Sequence, residues 1–171
     1  MSASRALAWF LFFVWAGWAC ALQGHLQRGG ASWVPDVGLV LALSVMARAD
    51  VADTPFVALF AAIARSAFGP EPPIVLLAGF MLIVFLWLAV RTTVELAGPL
   101  WRTITALVFV LVLNTWFGFA HGMRDPAGQP PHGSIFFAAW PAAIMSALLA
   151  FAAGPLLAHL PGLTPLRRRR W

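Results

Sequence analysis

The sequence contains no lysine and no tyrosine, a single cysteine, and six acidic residues among 171. With one thiol no internal disulfide can form, and Cys20, set in an apolar run, reads as a small packing residue. The few carboxylates form no pair placed for acid–base work. The chain also lacks a glycine-flanked serine elbow, an HExxH helix and a phosphate-binding loop. An enzyme is therefore not expected. Charged residues make up 10% of the chain and hydrophobic ones 61%, against about 25% and roughly 45–50% in a soluble domain. So little polar surface cannot cover a water-exposed core, which excludes a soluble globular fold. The run from Ile74 to Val90 lacks the alternation of apolar and polar positions that a membrane β-barrel requires.

What is present is a series of apolar runs punctuated by proline, glycine and charge. Lipid offers the backbone no hydrogen-bond partner, so such runs must be helices. The fold class expected is an all-α integral membrane protein, a six-transmembrane-helix bundle forming one domain over residues 1–171. The helices are placed at about 6–22, 34–47, 54–68, 73–90, 99–120 and 135–153, with a basic tail at 167–171. Pro35 and Asp36 open the second helix: proline lacks an N–H that the first turn would leave unpaired, and an anion suits the positive end of the helix dipole. Asp53 or Thr54 caps the third helix ahead of Pro55, and Gly69-Pro70 stops it. The second and third helices are short, so a re-entrant pair is the alternative to two spans. Ser134 caps the sixth helix, Pro141 kinks it and Gly154-Pro155 ends it.

At the N-terminus, Arg5 and the Ala19-Cys20-Ala21 segment look like a signal peptide with its cleavage site. The run from Ala6 to Leu22 nevertheless reaches the roughly 17–25 residues a span needs, and is expected to remain as the first helix. Tryptophan in Gly17-Trp18-Ala19-Cys20 departs from a lipoprotein box.

All eleven basic residues are arginine, and they are scattered except for Arg167 to Arg170. Beside apolar helices this pattern points to membrane lipids and orientation and not to nucleic acid. Six spans place Arg5, Arg48, Arg91, Arg102 and the terminal four on one side, with Arg28, Arg65 and Arg124 on the other. The bias predicts cytoplasmic N- and C-termini. His25, His121 and His132 then share the outer side and His159 lies near the inner one, none at the depth of a haem between helices. Their spacing fits no compact zinc motif, so neither metal nor cofactor is expected. Ser44, Ser66 and Ser146 read as packing hydroxyls. Trp33 and Trp116 are expected at the outer interface, and Trp9, Trp87 and Trp101 at the inner one, as an aromatic belt. Trp15 and Trp18 are expected on one face of the first helix, facing either the bundle or a partner.

The interaction candidates are Pro35, Asp36, Arg65 and Asn114. Ionisable residues near membrane depth are costly and tend to be paired or functional. Topology brings Asp36 and Arg65 to the outer end of adjacent antiparallel helices, where a salt bridge would fix the pair. Asn114, apolar on both sides, is expected to bond across helices.

The order of these features resembles the rod shape-determining MreD family. The likeness is carried by Trp33-Val34-Pro35-Asp36 followed by Leu39-Val40-Leu41-Ala42-Leu43, by Arg48 after that helix, and by Ser66-Ala67-Phe68-Gly69-Pro70. It continues with the Trp140–Leu149 segment leading to Gly154-Pro155-Leu156-Leu157. Where the family carries an aspartate in the third helix shortly before a glycine, this chain has Arg65. The resemblance implies a fold similar to the substrate-binding subunits of energy-coupling-factor vitamin transporters. It implies a non-enzymatic scaffold of the bacterial cell-elongation machinery in the inner membrane, associating with MreC and through it with MreB and the peptidoglycan synthases. The alternative is a small-solute, vitamin-like binding or transport subunit. An apolar midplane favours the scaffold, because a transport site needs polar groups or broken helices there.

Overall fold

A computed structural model of the chain describes residues 3–28, 33–91, 98–124, 132–157 and 159–166. The loop residues 125–131 and the basic tail 167–171, both part of the expected topology, lie outside the described residues. Among the described residues six α-helices follow one another: α1 (Ala3–Gln27), α2 (Val37–Met46), α3 (Thr54–Ser66), α4 (Pro73–Arg91), α5 (Pro99–Arg124) and α6 (His132–Leu157). Among the described residues the chain is all-helical. Four helices, α1, α4, α5 and α6, are long and apolar enough to cross a membrane. The chain is built as a membrane protein.

Six equal spans are not what the lengths give. α2 has ten residues and α3 thirteen, about 15 and 20 Å at a rise of about 1.5 Å per residue, short of a hydrocarbon layer of roughly 30 Å. These two form a short hairpin in which α2 is interior while α3 keeps an exposed face with Phe56 and Ile63. The reason is visible in α2, where every residue from Gly38 to Met46 is buried. A helix apolar on all sides is a core helix, and α2 touches α1, α3, α5 and α6.

Direct contacts fix which helix ends lie together. Arg5 Nη2 donates to both Asp53 oxygens at 2.6 Å, Arg91 Nη2 donates to Ala49 O at 3.0 Å, and Arg48 Nη1 lies 2.7 Å from His159 Nε2. This arginine-rich end therefore gathers the starts of α1 and α3, the ends of α2 and α4, and the segment after α6. At the opposite end Trp116 Nε1 on α5 donates to Val75 O on α4 at 3.0 Å.

Other expectations are corrected at the helix termini. α1 extends at both ends of its expected range, and α6 begins before Ser134 and runs through Gly154-Pro155 to Leu157, with Pro141 and Pro155 both inside it. Asp53 occupies the cap position of α3 but makes no side-chain cap bond, because its carboxylate is taken by Arg5. After α6 the chain folds back on α1 through a 3₁₀ turn (Thr164–Leu166) that buries Leu163 and Leu166. The aromatic belt is also revised. Trp9 and Trp87 are core residues, Trp9 among Phe12, Phe56 and Phe60 and Trp87 edge-on to Phe109. Trp33 and Trp101 are exposed. Trp18 is 71% exposed while Trp15 packs on the core, so the two do not share one environment.

Candidate functional site

The start of α2 lies inside the bundle, and its backbone needs partners that water would supply at a surface. The first N–H groups of any helix lack intrahelical acceptors. Asp36, the N-cap residue, supplies one with its side chain, Oδ1 accepting from Leu39 N at 2.9 Å. Ser146 Oγ on α6 accepts from Asp36 N at 2.8 Å and donates to Ala142 O at 2.7 Å. Val37 N donates to Pro35 O at 3.0 Å, which is how Pro35, half-buried just ahead of the cap, contributes. The expected first turn containing Pro35 and Asp36 is thus moved: both precede the helix.

A carboxylate spent on a cap still carries a charge, and Asp36 is 1% exposed. Arg65, 8% exposed near the end of α3, donates from Nη1 to the other oxygen, Oδ2. The expected pair is present. Both groups are enclosed by protein, at the end of the bundle away from the arginine-rich one. One α2 length, about 15 Å, separates Asp36 from the arginine-rich end, and Arg65 lies beside Gln27 at the end of α1 and Pro70 and Glu71 of the α3–α4 turn. The Arg65 guanidinium carbon also stands 4.8 Å from the Phe117 ring centroid, a cation–π contact contributing about 0.5–2 kcal/mol. The cluster therefore ties α2 to α3 by charge, to α6 by Ser146 and to α5 through Phe117.

Around this cluster the packing is close. Cys20 Sγ lies 2.8 Å from where a Cβ on Gly38 would stand, so only glycine lets α1 approach α2 at that level. Beside Arg65 a small polar recess is bounded by Gln23, Gln27, Phe68 and Glu71. It has about 20 Å³ of space for a water-sized sphere, room for about one water molecule. Gln23 Oε1, in a residue 5% exposed, has no partner there.

Asn114 does not join this cluster. It is half-buried on α5, and no side-chain hydrogen bond links it to another described residue. His25 and His121 are exposed, and no group of three His, Cys, Asp or Glu capable of holding a metal gathers among the described residues. Sequence reasoning missed Ser146 as the acceptor for Asp36 N. A serine at helical depth gave no sign of which helix terminus it would meet.

A groove of about 410 Å³ lies between α4, α5 and α6, lined by Leu82, Val108, Leu111, Val112 and Phe136 with Thr115 and Trp116. The Trp116 N–H is already used on Val75. Thr115 Oγ1 is buried without a partner. No family model matches the chain, and no curated protein or solved structure is found similar to it.

Proposed function

We propose that the protein is a non-enzymatic scaffold of the bacterial inner membrane, of the MreD type, serving the cell-elongation machinery with MreC as its direct partner. The observation that carries this reading is the use made of the buried charges. Asp36 and Arg65 spend their hydrogen-bonding capacity on each other, on Leu39 N and on neighbouring helices, which is the work of a rigid frame.

The sizes of the recesses weigh against a vitamin-like solute. Such ligands occupy pockets of about 300–1,000 Å³ with a few convergent polar groups. The polar recess holds about one water, and the groove large enough for a solute is apolar apart from the Thr115 hydroxyl and the Trp116 indole, whose N–H is already used. Walls of that kind suit the apolar transmembrane helix of a partner. The arginine-rich end, with Arg5, Arg48, Arg91 and Arg102 and the tail that follows, is the cytoplasmic end in this reading.

The test is depletion in the native host together with copurification from its membranes. Cells should round or widen with uptake of small nutrients intact, and MreC should copurify with the wild-type chain and be lost with Val108→Trp, which fills the groove. A vitamin requirement with normal shape would replace the scaffold by the transport reading. Reporter fusions after Trp171 and within residues 125–131 should report opposite sides of the membrane. The same side for both would refute the orientation.

A further inference from the structure

The arginine-rich end contains a second cavity, lined by Ser44 of α2, Trp87 of α4, Arg102, Thr105 and Ala106 of α5, and Ala150 of α6. Two donors on residues that line it have no acceptor. Trp87, 2% exposed, has its Nε1–H unpaired, and Arg102 has its buried Nε–H unpaired. An indole N–H is only a donor and a guanidinium has donors alone. A buried donor without an acceptor is costly, and here two belong to residues that line one cavity. No carboxylate lines it.

Charge bookkeeping sharpens the chemistry. Among the described residues Arg5 is neutralised by Asp53 and Arg65 by Asp36, while Arg102 has no acidic partner. Arg102 also lies in the first turn of α5, whose positive dipole end favours an anion. α5 has 26 residues, about 39 Å, longer than a roughly 30 Å hydrocarbon layer, so its first turn can reach lipid headgroups. The cavity has about 20 Å³ of space for a water-sized sphere, which admits a single oxygen and leaves the rest of a ligand outside.

We propose that this cavity is an anion site that takes one phosphate oxygen at the inner end of the bundle, with Arg102 supplying charge and Trp87 a directional N–H. The phosphate can belong to an anionic phospholipid headgroup or to a free phosphate. The site is independent of the scaffold reading, since it uses neither the groove nor the Asp36–Arg65 cluster.

The full chain is reconstituted in nanodiscs of phosphatidylcholine alone or with phosphatidylglycerol, and in detergent with or without inorganic phosphate. Thermal unfolding and lipid retention by native mass spectrometry are read for wild type, Arg102→Gln and Trp87→Phe. Trp87→Phe keeps the ring packing and removes only the N–H, so it guards against loss of fold. Phosphatidylglycerol should be retained over phosphatidylcholine by the wild type, with about a tenfold weaker preference in Arg102→Gln and a smaller loss in Trp87→Phe. Protection by inorganic phosphate that depends on the same two residues, with no lipid preference, would assign the site to a free anion. Equal retention of both lipids and no phosphate effect in the wild type, or effects unchanged by both substitutions, would make the cavity a water site and overturn the proposal.

Discussion

Breaking the Asp36–Arg65 pair is the perturbation whose size the structure constrains best. Both residues are enclosed by protein, at 1% and 8% exposure, so water screens their interaction little. Removing one partner of a buried pair costs about 3–5 kcal/mol because the other charge is left uncompensated, whereas an exposed pair contributes only about 0–1 kcal/mol. Asp36→Asn isolates the charge, since asparagine caps a helix about as well as aspartate and Oδ1 can still accept from Leu39 N. Asp36→Ala should cost about 0.5–2 kcal/mol more, the value of the lost cap. Arg65→Gln leaves Asp36 charged and removes the contact over Phe117. Combining Asp36→Asn with Arg65→Gln puts two neutral amides where two charges stood, so the double change should cost at least about 2 kcal/mol less than the sum of the singles. The assay is built into the chain. Cys20 is the sole cysteine and is buried against Gly38, so labelling of Cys20 by a thiol-reactive dye during heating reports opening of the α1–α2 contact. Additive single effects, or singles of about 1 kcal/mol or less, would refute the account of a buried, coupled pair.

Three further outcomes are expected from other contacts. Gly38→Ala should destabilise the protein by about 1–3 kcal/mol through overpacking against Cys20 Sγ, and Cys20→Ala in the same chain should recover part of it, read by tryptophan fluorescence on heating. Asn114→Leu should leave thermal stability unchanged or raised, because the amide makes no bond to another described residue and a transmembrane position favours the apolar side chain; a marked loss would show a partner for it. Arg5→Gln should cost about 1–3 kcal/mol, between an exposed and a fully buried pair, since the Arg5 side chain is 39% exposed but that of Asp53 only 8%; no loss in the dye assay would refute this.

The helical character was legible because it follows from solvation: uninterrupted apolar runs such as Ile74–Val90 leave no other way to pair the backbone in lipid. The Asp36–Arg65 contact was legible for a related reason, two opposite charges in apolar surroundings on consecutive antiparallel segments. Burial was not legible. The Trp33-Val34-Pro35-Asp36 entry reads the same whether it sits at a membrane surface or inside the bundle, because proline and an N-cap are correct in both places. Helix ends were misjudged for local reasons. Gly154-Pro155 is a stop signal in water, yet here α6 continues through it, as transmembrane helices do when neighbours satisfy the freed groups. Asn114 shows the opposite failure, a polar residue in an apolar run that the fold leaves without a described partner.

The position of the α2 start explains why the charges are there at all. A helix that begins buried has backbone N–H groups that water cannot reach, and each one left unpaired away from water would cost several kcal/mol. Enclosing the start in protein shifts the requirement to side chains, and Ser146 and Asp36 each meet one donor. A serine at position 36 would cap without charge, but it would leave Arg65 uncompensated at 8% exposure. An apolar residue at position 65 would spare that cost while stranding the aspartate. Each charge is thus justified by the other, so the two charges change together or not at all, while the cap must be kept. Asp36→Ser with Arg65→Leu is the substitution that keeps the cap and removes both charges. Replacing a buried pair in this way is often neutral or stabilising. Near wild-type stability for that double variant, beside large losses for Asp36→Ser or Arg65→Leu alone, is the outcome this logic requires.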